Sequence, residues 1–468
     1  MRPPRFRAAG AISWDDLRAE LHVPTSFPAE VLAEAEAAAA APRLPALDLT
    51  ALSFLTIDPA GSLDLDQAMC LERDGTGFTV RYAIADVGAF VVHGSLLDAE
   101  THARGETSYF PDLRVPLHPP VLAEGAGSLL PDQIRPAVVW TLSLDAAGEL
   151  VTTEVRRATV RSQRRLEYVG VQQSIDDGTA DEQLLLLREI GTRRQELARA
   201  RGAVDLPTPE QEVTDGPDGR PCLQFRAPVA AEAWNAQISL LTGIAAAHLM
   251  LDGGVGLLRT LPPADDQSVA SLRRSALALG VPWPKGRSYG EVISALDSTV
   301  PAAAALLTLA TRLLRGAAYT AFDGAPPKQP LHSAVAAAYA HCTAPLRRLA
   351  DRYVNEVCLA LCAGEAVPDW ARAALPDLPA EMAAADKRAH EIDRAIVDLT
   401  EAVVLAPRMG EVFQAVVVDS GPNGGAVQLT DPAVRARCDG ADLPLGERIS
   451  VVLEVADPKT RQVSFRRA

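Results

Sequence analysis

A chain of 468 residues with 48% hydrophobic and 22% charged residues has ordinary globular composition and enough length for two or three domains. Its formal net charge of −15 argues against indiscriminate nucleic-acid binding, which normally shows as an overall basic footprint, yet leaves room for a local basic channel. No apolar run reaches the ~18 residues of a membrane span, and no apolar core with a cleavage site follows the basic opening Met1–Arg7. No membrane contact and a cytoplasmic location are therefore expected.

Residues 1–45 read as a helical segment. Ser13-Trp14-Asp15-Asp16-Leu17 resembles an N-cap opening a short amphipathic helix, and Pro28–Ala41 is a second helix rich in Ala and Glu, ended by Pro42 and Pro45. From Leu47 to about Val160 the pattern changes to strands punctuated by Gly and Pro. Within it, Thr56–Met69 reads T-I-D-P-A-G-S-L-D-L-D-Q-A-M. Asp64 and Asp66 are two apart, so an extended segment points both carboxylates to one face, and the turn Pro59-Ala60-Gly61-Ser62 can fold Asp58 back toward them. Such a set suits Mg²⁺, which takes a few carboxylates and leaves other positions for water and phosphate oxygens. The commonest use of an acidic turn is a solvated loop, and the residues alone leave that alternative open. An EF-hand frame fails, because counting from Asp58 or from Asp64 does not place oxygens and Gly where it needs them.

Further on, 181–202 and 229–252 are expected to be helical around an irregular stretch from Val204 to Pro221. A long helical section is expected over about 269–405, interrupted near 281–287, 324–331 and 368–379. After Pro407, short strands at 411–418, 425–429, 448–455 and 462–465 fit a small closed barrel of the OB type. Two stretches, 151–165 and 312–352, are locally basic in the acidic chain; each reads most simply as a solvated face. The six cysteines show no C-x-x-C pair or completed zinc spacing and are expected to be reduced.

The aspartate string has company. I-A-D-V-G-A-F-V-V-H-G-S-L-L-D-A-E runs from Ile84 to Glu100, R-G-E-T-S-Y-F-P-D from Arg104 to Asp112, R-G-A-V-D-L-P-T-P-E from Arg201 to Glu210, and Y-A-H-C-T-A-P-L-R-R-L-A-D from Tyr339 to Asp351. In this order they resemble the catalytic RNB domain of the ribonuclease II/R family, and the last sixty residues resemble the S-one-type OB domain that usually follows it. The resemblance implies an α+β fold. A helical segment at 1–45 precedes an RNB domain at 46–406, a mixed sheet packed with helices, and an RNA-binding OB barrel at 407–468. It implies a processive 3′→5′ exoribonuclease that hydrolyses single-stranded RNA to nucleoside 5′-monophosphates by a two-metal mechanism, with Mg²⁺ as cofactor (Mn²⁺ as a possible substitute), working as a monomer.

Carried over by position, Asp58, Asp64 and Asp66 match the family's metal-binding aspartates, with Asp66 closest to cleavage. Tyr109 matches an aromatic that stacks on the 3′-terminal base, and stacking is sequence-tolerant because every base offers a π-face. Without the resemblance, a Tyr before Phe-Pro is an ordinary turn anchor. Arg347 matches the arginine that reaches the scissile region, with Arg348 beside it, and a planar guanidinium suits bidentate phosphate contact. An Arg-Arg pair alone is as readily a solvated, salt-bridged face. Asp393 is a weaker carry-over as a supporting acid.

Several positions depart from the family pattern. Gln67 stands where a fourth carboxylate is usual; an amide oxygen can ligate a metal, but it carries no charge and cannot act as a base. Ala344 replaces a usual Ser, Asn355 a common His, and paired glutamates are missing around Trp234–Gln237. The first 45 residues are too few for a cold-shock OB domain, and a small helix-turn-helix-like module gripping RNA is the expectation there. A catalytically weakened RNA-binding protein is the alternative that Gln67 raises. An endonuclease would use the same metal chemistry. Retention of Asp58, Asp64, Asp66, Tyr109 and Arg347 together favours activity.

Overall fold

The computed structural model describes residues 12–206, 210–215, 221–226 and 228–468. The basic opening Met1–Arg7 and parts of the Arg201–Glu210 and Val204–Pro221 stretches lie outside the described residues. Two helices come first, Asp15–Glu20 (α1) and Ala29–Ala40 (α2). Their apolar residues enter different core clusters: Trp14 and Leu17 join one, Val31 and Ala35 another. They therefore do not pair as a helix-turn-helix would, contrary to the expectation for this segment.

Strands Phe54–Asp58 (β1), Gln67–Asp74 (β2) and Gly77–Ala85 (β3) follow. After Leu96–Arg104 (α3) comes the short hairpin Ser108–Tyr109 (β4) and Arg114–Val115 (β5), then Ile134–Leu144 (β6) and Leu150–Glu167 (β7). The expected mixed sheet closes on itself: β1, β2, β3, β6 and β7 form a barrel, antiparallel except where β7 runs parallel to β1. Alternate side chains serve two cores, as the period of a strand requires. Met69, Leu71, Tyr82, Ile84 and Trp140 enter the main core with the helices, while Ala68, Cys70, Ala83, Ala85 and Val139 share a smaller one with Leu65 and Leu346.

The middle of the chain is largely helical: Tyr168–Asp176 (α4), Glu182–Arg201 (α5) and Ala230–Gly253 (α6). The hairpin Glu210–Asp215 (β8) and Pro221–Arg226 (β9) lies before α6. α5 and α6 pack closely at Gly191, where a Cβ would stand 2.5 Å from that of Trp234. The expected long helical section is broken by strands. Val255–Thr260 (β10) pairs with Ala318–Asp323 (β11), and Asp266–Ala278 (α7), Tyr289–Ser294 (α8) and Pro301–Ala310 (α9) lie between them. Leu331–His332 (β12) and Ala337–Ala338 (β13) pair ahead of Leu349–Ala363 (α10), Asp369–Ala374 (α11) and Leu378–Leu405 (α12). Among the described residues, no helix is long and apolar enough to cross a membrane.

The last strands, Val412–Gly421 (β14), Gly424–Leu429 (β15), Arg435–Asp439 (β16), Arg448–Asp457 (β17) and Gln462–Arg467 (β18), close into a second barrel. β16 was not expected from the sequence. This barrel shares one core cluster with Val213 and Leu223 of the β8–β9 hairpin, Ile392, Ile396 and Leu405 of α12, and Trp14 and Leu17. Continuous apolar packing of that kind fixes the barrel against α12, the β8–β9 hairpin and α1.

Candidate active site

Asp58 ends β1, and the turn Pro59–Ser62 reverses the chain, with Ser62 N–H bonding the Pro59 carbonyl at 3.1 Å. Gly61 takes φ +78°, a conformation that L side chains rarely adopt. Asp64 and Asp66 then lie in the loop that enters β2, rather than on a strand. Ser128, fully buried, holds this loop: its Oγ accepts from Leu65 N–H at 2.9 Å and donates to the Leu63 carbonyl at 2.6 Å. Leu65 and Leu346 share one buried cluster, which docks the loop 343–348 onto the aspartate loop.

That docking brings Arg347 to the acids. Asp66 is buried; its Oδ1 accepts from Leu346 N–H at 2.8 Å, and its Oδ2 lies 3.4 Å from Arg347 Nε. Asp64 Oδ1 accepts from Arg114 Nη1 at 2.5 Å, and Arg114 also reaches Glu124 at 3.5 Å. Burial pushes Asp66 up to about 8, against the pull of Arg347 and the Leu346 N–H. Asp58 rises to about 7 through burial and then the repulsion of Asp64. Asp64 also rises through burial, opposed by Arg114. Tyr109 belongs to the same group: burial and then the Asp64 charge raise its phenol, while Arg347 and Arg114 oppose the rise. For Arg347 itself, burial and Arg348 work against the charge, but Tyr109, Asp66 and Asp351 hold it up.

Three expected residues are thus the acids, and Tyr109 and Arg347 join them. Two others do something different from what was expected. Gln67 has both ends of its amide engaged with protein: Oε1 accepts from the Tyr82 hydroxyl at 2.5 Å, and Nε2 donates to the Thr343 carbonyl at 2.6 Å. The residue opens β2 beside the acids, but its bonds position the loop 343–348 in place of an open ligand oxygen. Arg348 forks onto Asp351, Nε to Oδ2 at 3.0 Å and Nη2 to Oδ1 at 2.9 Å, and so is committed to the loop rather than free for phosphate. Asp351 is fully buried and also accepts from Ala344 N–H at 2.6 Å. The backbone makes that bond, so the missing Ser at 344 costs nothing there. Asn355 accepts from Trp140 Nε1 at 3.3 Å and donates to the Cys342 carbonyl at 2.8 Å, bracing the other end of the loop. Asp393 stands on α12, raised to about 6 by burial and opposed by His390; no hydrogen bond or ion pair joins it to the acids among the described residues.

Sequence reasoning missed Arg114, Ser128, Tyr82 and the role of Asp351. The basic β7 stretch turns out to be largely neutralised within the protein: Arg156 pairs with Glu154, Arg157 with Asp86 and Glu356, and Arg164 with Asp181.

Among the described residues, no three His, Cys, Asp or Glu side chains already converge as a metal cage. The chemistry of the donor set nevertheless fits a hard divalent cation. The acids are carboxylates that burial and mutual repulsion would rather discharge, and a bound cation reverses that preference.

Residues 46–363 match the family model of the RNB domain, and residues 411–468 match that of the RNase II-type exonuclease C-terminal S1 domain. The chain belongs to the RNB-domain family. Ribonuclease R of Aquifex aeolicus is 27% identical over 448 residues, covering 90% of this chain and 62% of that protein. The exosome complex exonuclease RRP44 homolog A of Arabidopsis thaliana is 29% identical over 326 residues, covering 66% of this chain and 35% of the other. The chain thus spans only part of the length of these relatives. The fold matches the apo form of Mycoplasma genitalium RNase R with a TM-score of 0.86 at 20% identity, over 97% of this chain and 77% of that one. The yeast pseudonuclease Ssd1 also shares the fold, with a TM-score of 0.68 at 18% identity over 92% of this chain and 53% of that one.

Proposed function

We propose that the protein is a processive 3′→5′ exoribonuclease that shortens single-stranded RNA and releases nucleoside 5′-monophosphates. The observation that carries this reading is the meeting of the three acids, Asp66 buried among them, with Tyr109 and Arg347, residues drawn from three separate stretches of the chain. Asp58, Asp64 and Asp66 would hold Mg²⁺, or Mn²⁺ in its place, and in a two-metal mechanism the bound ions supply Lewis acidity toward the phosphodiester and acidify the attacking water. Arg347 places a planar, permanently charged donor beside Asp66, where it can bind the scissile phosphate and offset charge that develops in the transition state. Tyr109 offers a ring for the terminal base, which sets the register of cleavage one nucleotide at a time. The relatives named ribonuclease R support the same activity. A cytoplasmic monomer acting on RNA is the form in which we expect it to work.

Gln67 motivates the opposing reading, an RNA-binding protein with weakened catalysis. Its engagement with Tyr82 and Thr343 answers that concern in part, because the residue supports the loop carrying Arg347 whatever its value as a ligand. Incubating 5′-labelled and 3′-labelled single-stranded RNA with the protein and Mg²⁺ separates the possibilities. A ladder that shortens from the 3′ end, absent in EDTA, supports the exoribonuclease. Intact but gel-shifted RNA leaves the binding protein, and internal cuts point to an endonuclease.

A further inference from the structure

The hairpin that carries Tyr109 and Arg114 is two short strands, and a hairpin of that size has little stability of its own. Its position must come from what it rests on. Strand alternation gives it two faces: Tyr109 and Arg114 turn to the acids, whereas Phe110 and Val115 are buried in the cluster that holds Trp14 and Leu17. Arg18, on α1 and nearly inaccessible, forks onto Asp112 at the hairpin tip, Nη1 to Oδ1 at 2.6 Å and Nη2 to Oδ2 at 3.0 Å. Its guanidinium also sits 5.2 Å from the centre of the Phe110 ring, and Asp15 steadies it from the same helix at 2.6 Å.

A second fastening follows. Arg104, buried, donates to the carbonyls of Pro24 and Ser26 at 3.1 and 2.7 Å and to that of Pro116 at 3.3 Å, and its guanidinium lies 3.7 Å from the centre of the Phe27 ring. The N-terminal segment is thus bonded to the hairpin's tip and to the chain leaving its base. At its other end Glu20 takes both arms of Arg461 of the C-terminal barrel, at 2.8 and 2.7 Å.

We propose that Trp14–Phe27 is a positioning strut that seats the Tyr109–Arg114 hairpin over the aspartates, with Arg18–Asp112 as its principal link. The proposal rests on the exoribonuclease reading for its kinetic consequence, but not for its structural one. The segment acts through the hairpin. Loosening the seat misplaces the stacking ring and Arg114, and frees Asp64 of its arginine, while Asp66 keeps its bond to Leu346 N–H and the loop backbone keeps its bonds to Ser128.

The test uses Arg18→Ala, Asp112→Ala and the double variant in the full chain. Amide exchange at 108–115 is expected to quicken roughly tenfold or more in each, while β2 stays protected. Affinity for a single-stranded RNA with a free 3′ end, measured by anisotropy without divalent metal, is expected to fall roughly tenfold, a share of what losing the stacking partner outright would cost. In turnover, KM should rise more than kcat falls, and the shortest product should lengthen, as removal of the stacking ring in Tyr109→Ala should also make it. A double variant no worse than either single one supports a single shared link. Unchanged exchange and RNA affinity in Asp112→Ala would overturn the proposal, as would additive losses in the double variant. Asp112 is partly exposed, so this variant keeps the test open if Arg18→Ala does not fold. Should the wild type release no nucleotides, the exoribonuclease reading fails, and exchange and affinity still decide the strut.

Discussion

Replacing Gln67 by Ala separates a metal ligand from a loop support, because the two roles fail in different measurements. In the structure the amide satisfies the Tyr82 hydroxyl and the Thr343 carbonyl, and both of those residues are almost inaccessible to water. Removing it leaves two buried polar groups without that partner, at about 1–3 kcal/mol each, so the variant should lose about 2–6 kcal/mol of stability. That is a large share of the roughly 5–15 kcal/mol by which folded domains are stable. Freed from Thr343, the loop carrying Leu346 and Arg347 loses its register against Asp66, and kcat should fall with it. The Mg²⁺ concentration that gives half-maximal RNA degradation should stay within about twofold, since no ligand has been removed. Urea titration and a Mg²⁺ titration of single-turnover cleavage measure the two effects. A variant as stable as the wild type whose Mg²⁺ requirement rises tenfold or more would refute the reasoning and make Gln67 a ligand.

Three further outcomes follow from the same geometry. Arg347→Lys should reduce turnover roughly 100-fold while leaving the melting temperature nearly unchanged, because a point charge replaces a planar fork beside Asp66; steady-state kinetics with calorimetry checks this. Arg348→Ala strips the partner from the fully buried Asp351 and should cost about 3–5 kcal/mol of stability, a loss that a phosphate-contacting arginine on the surface would not produce. Glu401 of α12 accepts from Gln211 of β8 and from the Arg435 amide of β16, and burial raises it to about 7. A carboxyl whose folded value lies above its unfolded one contributes stability at low pH and loses it as pH rises through about 7, here about 3 kcal/mol. Glu401→Gln should therefore gain on the wild type between about pH 5 and about pH 8, and a difference independent of pH would contradict the assignment.

What could be read from the sequence was what local strings encode. Asp58, Asp64 and Asp66 lie within nine residues, and the strings around Tyr109 and Arg347 carry their family resemblance with them. The loop 343–348 could not be read the same way, because its supports come from distant positions. Gln67 reaches Thr343 across 276 residues and Asp66 meets Leu346 across 280, so only the folded chain shows that Gln67 bonds this loop. Arg114 and Ser128 gave no signal of their own: an isolated Arg and a Ser in a Gly-rich turn are commonplace until Asp64 and Leu65 are placed against them. β11 was hidden because A-Y-T-A-F-D sits among alanine-rich helical sequence, and its strand state depends on pairing with β10. The first helices were misjudged for a related reason. Their amphipathic pattern is real, but it records burial at two separate places, α1 against the hairpin and the C-terminal barrel and α2 against Phe90, Leu97 and Leu122.

The most direct test is to identify what leaves the protein when it meets single-stranded RNA in Mg²⁺, comparing the wild type with Asp66→Asn by chromatography of the released material. Asp66 lies between the Leu346 amide and Arg347, so its amide variant should keep the fold and still retard RNA in a gel. The wild type is expected to release nucleoside 5′-monophosphates and the variant none. Release of oligonucleotides by the wild type, or undiminished monophosphate release by Asp66→Asn, would contradict the assignment of these acids as the centre of an exoribonuclease.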